Sequence, residues 1–246
     1  MKKLSGKTAI ITGGTSGFGL AIAESFAKEG AALVINARNE SKLEEVTKTL
    51  WKLTEEVYSV AGSVTELETY EKLKSIAIEK TGKIDILINN AGGGIKIAPI
   101  DEQTESTVSE ALKLNLESVI NGCRIIVPEM KKKKSGLIIN VTSACEKFAW
   151  PQWSVYSAAK AGLSMFSRCL YAELRPEGIG VTGLIPGGAN TGFQSNCGIG
   201  NCEWDDSESL RPEHIAHAAL SVATMPNGAF VPEIIIYGKS QEIIPF

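Results

Sequence analysis

Short apolar, β-branched runs alternate along the chain with longer stretches in which apolar residues recur at helical spacing. The runs are TAIIT at 8–12, ALVINA at 32–37, VYSVA at 57–61, IDILINN at 84–90, GLIINVTS at 136–143, IGVTGLI at 179–185 and PEIIIYG at 232–238. Their near-continuous hydrophobicity predicts strands covered on both faces. Helical periodicity predicts helices near 17–29, 40–54, 66–81, 102–133, 154–175 and 211–224. Seven strands alternating with six helices predict an α/β fold with a parallel, doubly wound sheet. Ligands in such sheets bind beyond the carboxyl ends of the strands, so the residues after each strand carry the functional information.

Composition narrows this picture without redirecting it. A chain of 246 residues, 43% apolar and 22% charged, has globular averages and room for one large domain, 1–246. No linker, low-complexity tract or repeat divides it. The formal charge of −3 leaves no electrostatic footprint for nucleic acid. The basic run Lys131 to Lys134 closes a predicted helix, where the helix dipole favours cations. No segment resembles a signal peptide and no apolar run reaches transmembrane length, so a cytoplasmic protein without membrane association is expected. Five cysteines with no C-x-x-C pair suit reduced thiols. Cys197, Cys202, His214 and His217 form an imaginable zinc set, but the histidine spacing is short for a finger, and no metal is expected.

The strand ends are more telling. After the first strand comes TGGTSGFG, with Gly13, Gly17 and Gly19 in a G-x-x-x-G-x-G spacing between strand and helix. Glycines there permit a tight turn and close backbone approach, and the next helix N-terminus offers unpaired N–H groups to a phosphate. After the second strand stands Arg38, where an acid would meet a free ribose 2′-hydroxyl. A guanidinium suits a 2′-phosphate instead, or it simply opens a solvated helix. The fourth strand ends in NNAGGG, whose Asn89 and Asn90 either bind sugar hydroxyls or tie adjacent strands together. The fifth ends in NVTSAC, which sets Ser143 at the sheet edge. Thirteen residues later, WSVYSAAKAG places Tyr156 and Lys160 one helical turn apart. A second such pair, Tyr70 and Lys74, has Val57 at the equivalent upstream position and reads as an ordinary helix surface pair.

TGGTSGFG, NNAG, Asn115 in KLNLES, Ser143, YSAAK and PGGANT, in this order and spacing, resemble the short-chain dehydrogenase/reductase family over essentially the whole chain. The resemblance implies a Rossmann-type fold, a nicotinamide cofactor and hydride transfer between an alcohol and a ketone. It makes Tyr156 the acid/base, with Lys160 favouring the ionised phenol and binding the nicotinamide ribose. Ser143 stabilises the substrate oxygen as charge develops. Asn115 holds a local helix distortion and a proton-relaying water; read from its residue type alone, it is a polar surface position. The cofactor contacts implied are Gly13, Thr15, Ser16, Gly17, Phe18, Gly19, Arg38, Asn39, Ser63, Val64, Asn90, Ala91, Gly92, Tyr156, Lys160, Pro186, Gly187 and Thr191, with NADP(H) preferred because of Arg38. Pro186 and Gly187 set a turn, and Thr191 meets the carboxamide end of the cofactor. Two positions depart from the family pattern: Ile185 replaces an Asn before Pro-Gly, and Ser63 replaces an Asp that meets adenine.

The family's substrate loops hold Gly94, Ile95, Phe148, Trp150, Trp153 and Phe193, with Trp204 further on. These aromatics either line a pocket for an apolar or ring-containing carbonyl or pack a loop or subunit contact. The glycine-rich, polar stretch about 191–210 reads as a lid. Three functions compete: an NADPH-dependent reductase of a small ketone, a 3-oxoacyl carrier-protein reductase docking through Lys131 to Lys134 and Arg175, and a non-catalytic nucleotide sensor. The ending VPEIIIYGKSQEIIPF lacks the DGG-like turn common in carrier-protein reductases, and a sensor needs neither Tyr156 nor Lys160. The two long helices after the fourth and fifth strands point to a homodimer or homotetramer, as is usual in the family.

Overall fold

The computed structural model describes residues 2–189, 191–198, 208–226 and 228–241. Strands β1 (Thr8–Thr12), β2 (Ala32–Ala37), β3 (Val57–Ala61), β4 (Ile86–Asn89), β5 (Gly136–Val141), β6 (Ile179–Pro186) and β7 (Glu233–Ile236) form one sheet. Its order is β3-β2-β1-β4-β5-β6-β7. Every neighbouring pair is parallel.

Alternating side chains feed two cores. Ile11, Leu33, Ile35, Ile88 and Ile139 face α1 (Gly17–Lys28), α2 (Glu40–Leu50) and α8 (Pro212–Ala223). Ile10, Val34, Leu87 and Ile138 face α3 (Leu67–Thr81), α5 (Ser118–Lys133) and α6 (Ser154–Leu174). Burial on both faces is complete in β1, β2 and β4. The edge strands β3 and β7 are partly exposed, because each has a neighbour on one side only.

The predicted helix at 102–133 is a composite. A 3-10 turn at Ile100–Glu102 precedes α4 (Glu105–Leu112), which Thr104 and Thr107 cap reciprocally. A π-helical turn, Lys113–Glu117, then joins α4 to α5 without a break. The second predicted helix ends early, at Leu50, and the indole N–H of Trp51 donates to the Val57 carbonyl. At the end of α5, Lys132 pairs with Glu129 and Lys133 with Asp85, so half of the basic run is engaged within the fold. That Lys133 bond opposes the upward pull of burial and holds the Asp85 carboxyl below its ordinary value.

Tyr70 is not on the surface. Its ring lies in the core beneath α5, 1% exposed, and its hydroxyl donates to Asn89 Oδ1 at 3.3 Å. Only Lys74 faces outward, paired with Glu71. A short helix, α7 (Phe193–Asn196), lies inside the expected lid. The middle of that lid, 199–207 with Cys202 and Trp204, lies outside the described residues, as does Asn190 of PGGANT. No helix among the described residues is long and apolar enough to cross a membrane.

Candidate active site

Strand order reverses between β1 and β4, which opens a crevice at their carboxyl ends. Asn90 closes its floor: its amide donates to the Thr12 and Gly13 carbonyls at 2.9 and 3.2 Å. Thr12 Oγ1 accepts from the Asn90 and Ala91 backbone N–H groups. The asparagines therefore act as strand ties, Asn89 also donating to Asn140 Oδ1 at 2.8 Å. A Cβ on Gly19 would collide with the Gly13 carbonyl and the Asn90 amide, which explains why the α1 turn packs so closely.

The N-terminus of α1 suits an anion. Its first turn carries no acid, and the hydroxyl of its N-cap, Ser16, makes no capping bond. Thr15 is buried beside it, and Phe18 packs on the core below. The Thr191 methyl lies 3.6 Å from where a Gly17 side chain would begin, so the segment after β6 passes over the glycine turn. Arg38 is exposed at the end of β2 and makes no ion pair among the described residues. These groups fit a nicotinamide dinucleotide.

Several predicted contacts are engaged elsewhere. The Asn39 side chain caps α2 through the Lys42 N–H at 2.9 Å, and Ser63 bonds Thr65 Oγ1 at 2.8 Å. The Val64 side chain belongs to the core, which leaves its backbone to face a ligand. Pro186 ends β6 rather than making a turn, and Ile185 is fully buried in the sheet. Gln241 Oε1 accepts the Gly188 N–H at 2.9 Å and crowds Gly187.

Asn115 is fully buried, and the π-helical turn explains it. Widening the helix frees the Ala111 carbonyl, which the Asn115 amide meets at 2.9 Å. The same side chain accepts from the Gly93 N–H at 3.1 Å and donates to the Gly93 carbonyl at 2.8 Å. It thereby clamps the loop after β4. That loop threads between two groups, since a Cβ on Gly92 would lie 2.9 Å from Asn115 Oδ1 and 3.3 Å from Lys160 Nζ.

Lys160 is 4% exposed and donates to the Val141 carbonyl at 2.9 Å. Burial pulls its ammonium down to about 8, against opposing pulls from Cys145 and Glu146. Its Nζ lies over the Tyr156 ring, 5.8 Å from the centroid. Burial pushes the Tyr156 phenol up, Cys145 adds to this, and the Ser143 hydroxyl pulls it back. Ser143 also accepts from the Cys145 N–H, fixing a 3-10 turn at Ala144–Glu146.

Aromatic rings wall the phenol. Phe193 from α7 meets Tyr156 edge-on at 5.3 Å and stacks on Trp153 at 5.9 Å, and Trp150 and Phe148 continue the wall. Gly94 packs against Cys197 at the end of α7, and the Ile97 N–H donates to the Cys197 carbonyl. Ile95 sits beside them at a φ of 56°, a strained conformation for a β-branched residue. Sequence reasoning missed Ile97, Cys145 and Cys197, which share this cluster with Tyr156. It also missed Glu146, whose only signal was a carboxylate three residues after Ser143.

A family model described as short chain dehydrogenase matches residues 7–199. An uncharacterized oxidoreductase of Staphylococcus saprophyticus is 31% identical over 96% of this chain and 99% of its own length. A 3beta-hydroxysteroid dehydrogenase 1 of Eggerthella lenta is 33% identical over 76% of this chain and 72% of its own. Among solved structures, an alcohol dehydrogenase of the archaeon Thermococcus sibiricus, complexed with 5-hydroxy-NADP, superposes with a TM-score of 0.87 at 26% identity, covering 97% of this chain and 99% of that one. A Caenorhabditis elegans short-chain dehydrogenase/reductase of unknown function, with cofactor, reaches 0.88 at 30% identity over 96% and 95%.

Proposed function

The chain belongs to the short-chain dehydrogenase/reductase family of oxidoreductases, and from that premise we propose that it is an NADP(H)-dependent enzyme interconverting a ring-containing ketone and its secondary alcohol. The observation that carries this reading is the meeting of Asn115 and Lys160 at the Gly92 loop, with Tyr156 beside Lys160 and Ser143 bonded to Tyr156, beneath an aromatic wall. A bound nicotinamide supplies the hydride chemistry.

The chain's own groups do the rest. The N-terminus of α1, with Ser16 and Gly17, receives the pyrophosphate. Arg38 forms charge-assisted bonds to the ribose 2′-phosphate, a role supported by its exposure and by the absence of an acid there. The 5-hydroxy-NADP named for the Thermococcus sibiricus structure supports it too. Ser63 and the Val64 backbone flank the adenine, while Gly187 and Thr191 flank the far end.

In reduction, Tyr156 gives its proton to the carbonyl oxygen while Ser143 donates to the same atom, stabilising the charge that develops there. Lys160, held by Val141, places a cation near the phenol and eases its ionisation. Phe193, Trp153 and Trp150 exclude water and favour a flat apolar substrate. Titration with NADPH and NADH side by side tests the cofactor reading. Arg38→Ala should weaken NADPH by at least about tenfold and leave NADH nearly unchanged; equal weakening would remove Arg38 from the phosphate site.

A further inference from the structure

Glu146 ends the 3-10 turn after β5, and its side chain is 2% exposed. Its Oε1 accepts from Ser164 Oγ at 3.0 Å and lies 3.4 Å from Lys147 Nζ. Its Oε2 is buried and has no partner among the described residues. A carboxylate left half-satisfied out of water costs stability that an apolar residue would not.

The surroundings give it a use. Tyr156, Lys160, Ser164 and Arg168 recur every fourth residue and share one side of α6. Glu146 docks on this row through Ser164. Farther out, Glu233 of β7 binds Lys147 at 3.2 Å and Arg168 at 2.6 Å. Charges thus alternate from Arg168 through Glu233, Lys147 and Glu146 to Lys160. Resting on the reading of Tyr156 as the acid, we propose that Glu146 is a positioning residue for the reaction: its tethered carboxylate keeps Lys160 protonated beneath Tyr156.

Among the described residues, the groups facing Lys160 leave this role to Glu146. Cys145 and Glu146 face it from the 3-10 turn, Tyr156 from its own helix, the uncharged Asn115 from the π-helical turn, and the Val141 carbonyl from β5. Burial pushes the Cys145 thiol and the Tyr156 phenol up, which keeps both neutral at physiological pH. Among the described residues Glu146 is the remaining anion, itself faced by Lys147, with Glu233 beyond that lysine, and at longer range by Arg168 and Tyr237.

The test is NMR titration of the Lys160 side chain in cofactor-free protein, its resonance assigned with Lys160→Met. Glu146→Gln should move the midpoint down by about one pH unit, and Glu146→Asp should hold it near the wild-type value. Lys147→Gln, which removes a cation from beside Glu146, should move it upward. Opposite shifts cannot arise from a loosened fold. An unmoved midpoint in Glu146→Gln, or shifts of the same sign in both, overturns the proposal. If Glu146→Gln does not fold, Lys147→Gln decides alone, an upward shift supporting the proposal and none overturning it. The basic limb of kcat/KM for ketone reduction should follow the midpoint down in Glu146→Gln. Turnover surviving in Tyr156→Phe would instead remove the premise, whatever the lysine midpoint does.

Discussion

Burying Lys160 pulls its ammonium from 10.5 to about 8, a cost to the folded state of about 3 kcal/mol at neutral pH. Because the folded value is depressed, the cost is fully present below about 8 and disappears as pH rises toward the unfolded value. Lys160→Met should therefore raise the unfolding midpoint at pH 7, with the gain shrinking above pH 8, while abolishing turnover. A pH-independent change in denaturation would contradict this account. Tyr70→Phe makes the contrast. It removes one buried hydrogen bond to Asn89 and should cost about 1 kcal/mol with turnover intact. The i,i+4 pattern paired Tyr70 with Lys74 on one side of a helix, but spacing alone does not say which side faces the core. Glu146 was illegible for a related reason: its tether is Ser164, eighteen residues away on α6.

Among elements, the strands were the most legible, because a run buried on both faces needs no partner to be recognised. The interruption of the long helix was not legible from periodicity, since the π-helical turn spans only five residues, too few to set a period of its own. It shows only in what Asn115 bonds, the Ala111 carbonyl and both polar groups of Gly93. Asn115→Ala leaves these groups unpaired and should lower stability by about 3 kcal/mol, measured by denaturant unfolding. A loss below about 1 kcal/mol would mean that water replaces the side chain at no cost. The family resemblance anticipated this distortion; residue type alone placed Asn115 on the surface. The short helix α7 escaped notice because four residues carry no readable period, yet it brings Phe193 onto Tyr156.

At the scale of the molecule, the strand order brings residues from four distant segments to one sheet edge, and no local pattern foretells that arrangement without the parallel topology. Outside the site, α4, α5 and α6 leave Leu112, Ile120 and Met165 exposed. We propose that a second copy covers them, so light scattering should return the mass of two or four chains, and a single-chain mass would contradict this. The most direct test of the central claim is the rate of NADPH consumption by the wild type and Tyr156→Phe against a panel of aromatic and alicyclic ketones. The account predicts turnover by the wild type and a loss of at least about a hundredfold in Tyr156→Phe with NADPH binding unchanged. Comparable rates in the two proteins would contradict it.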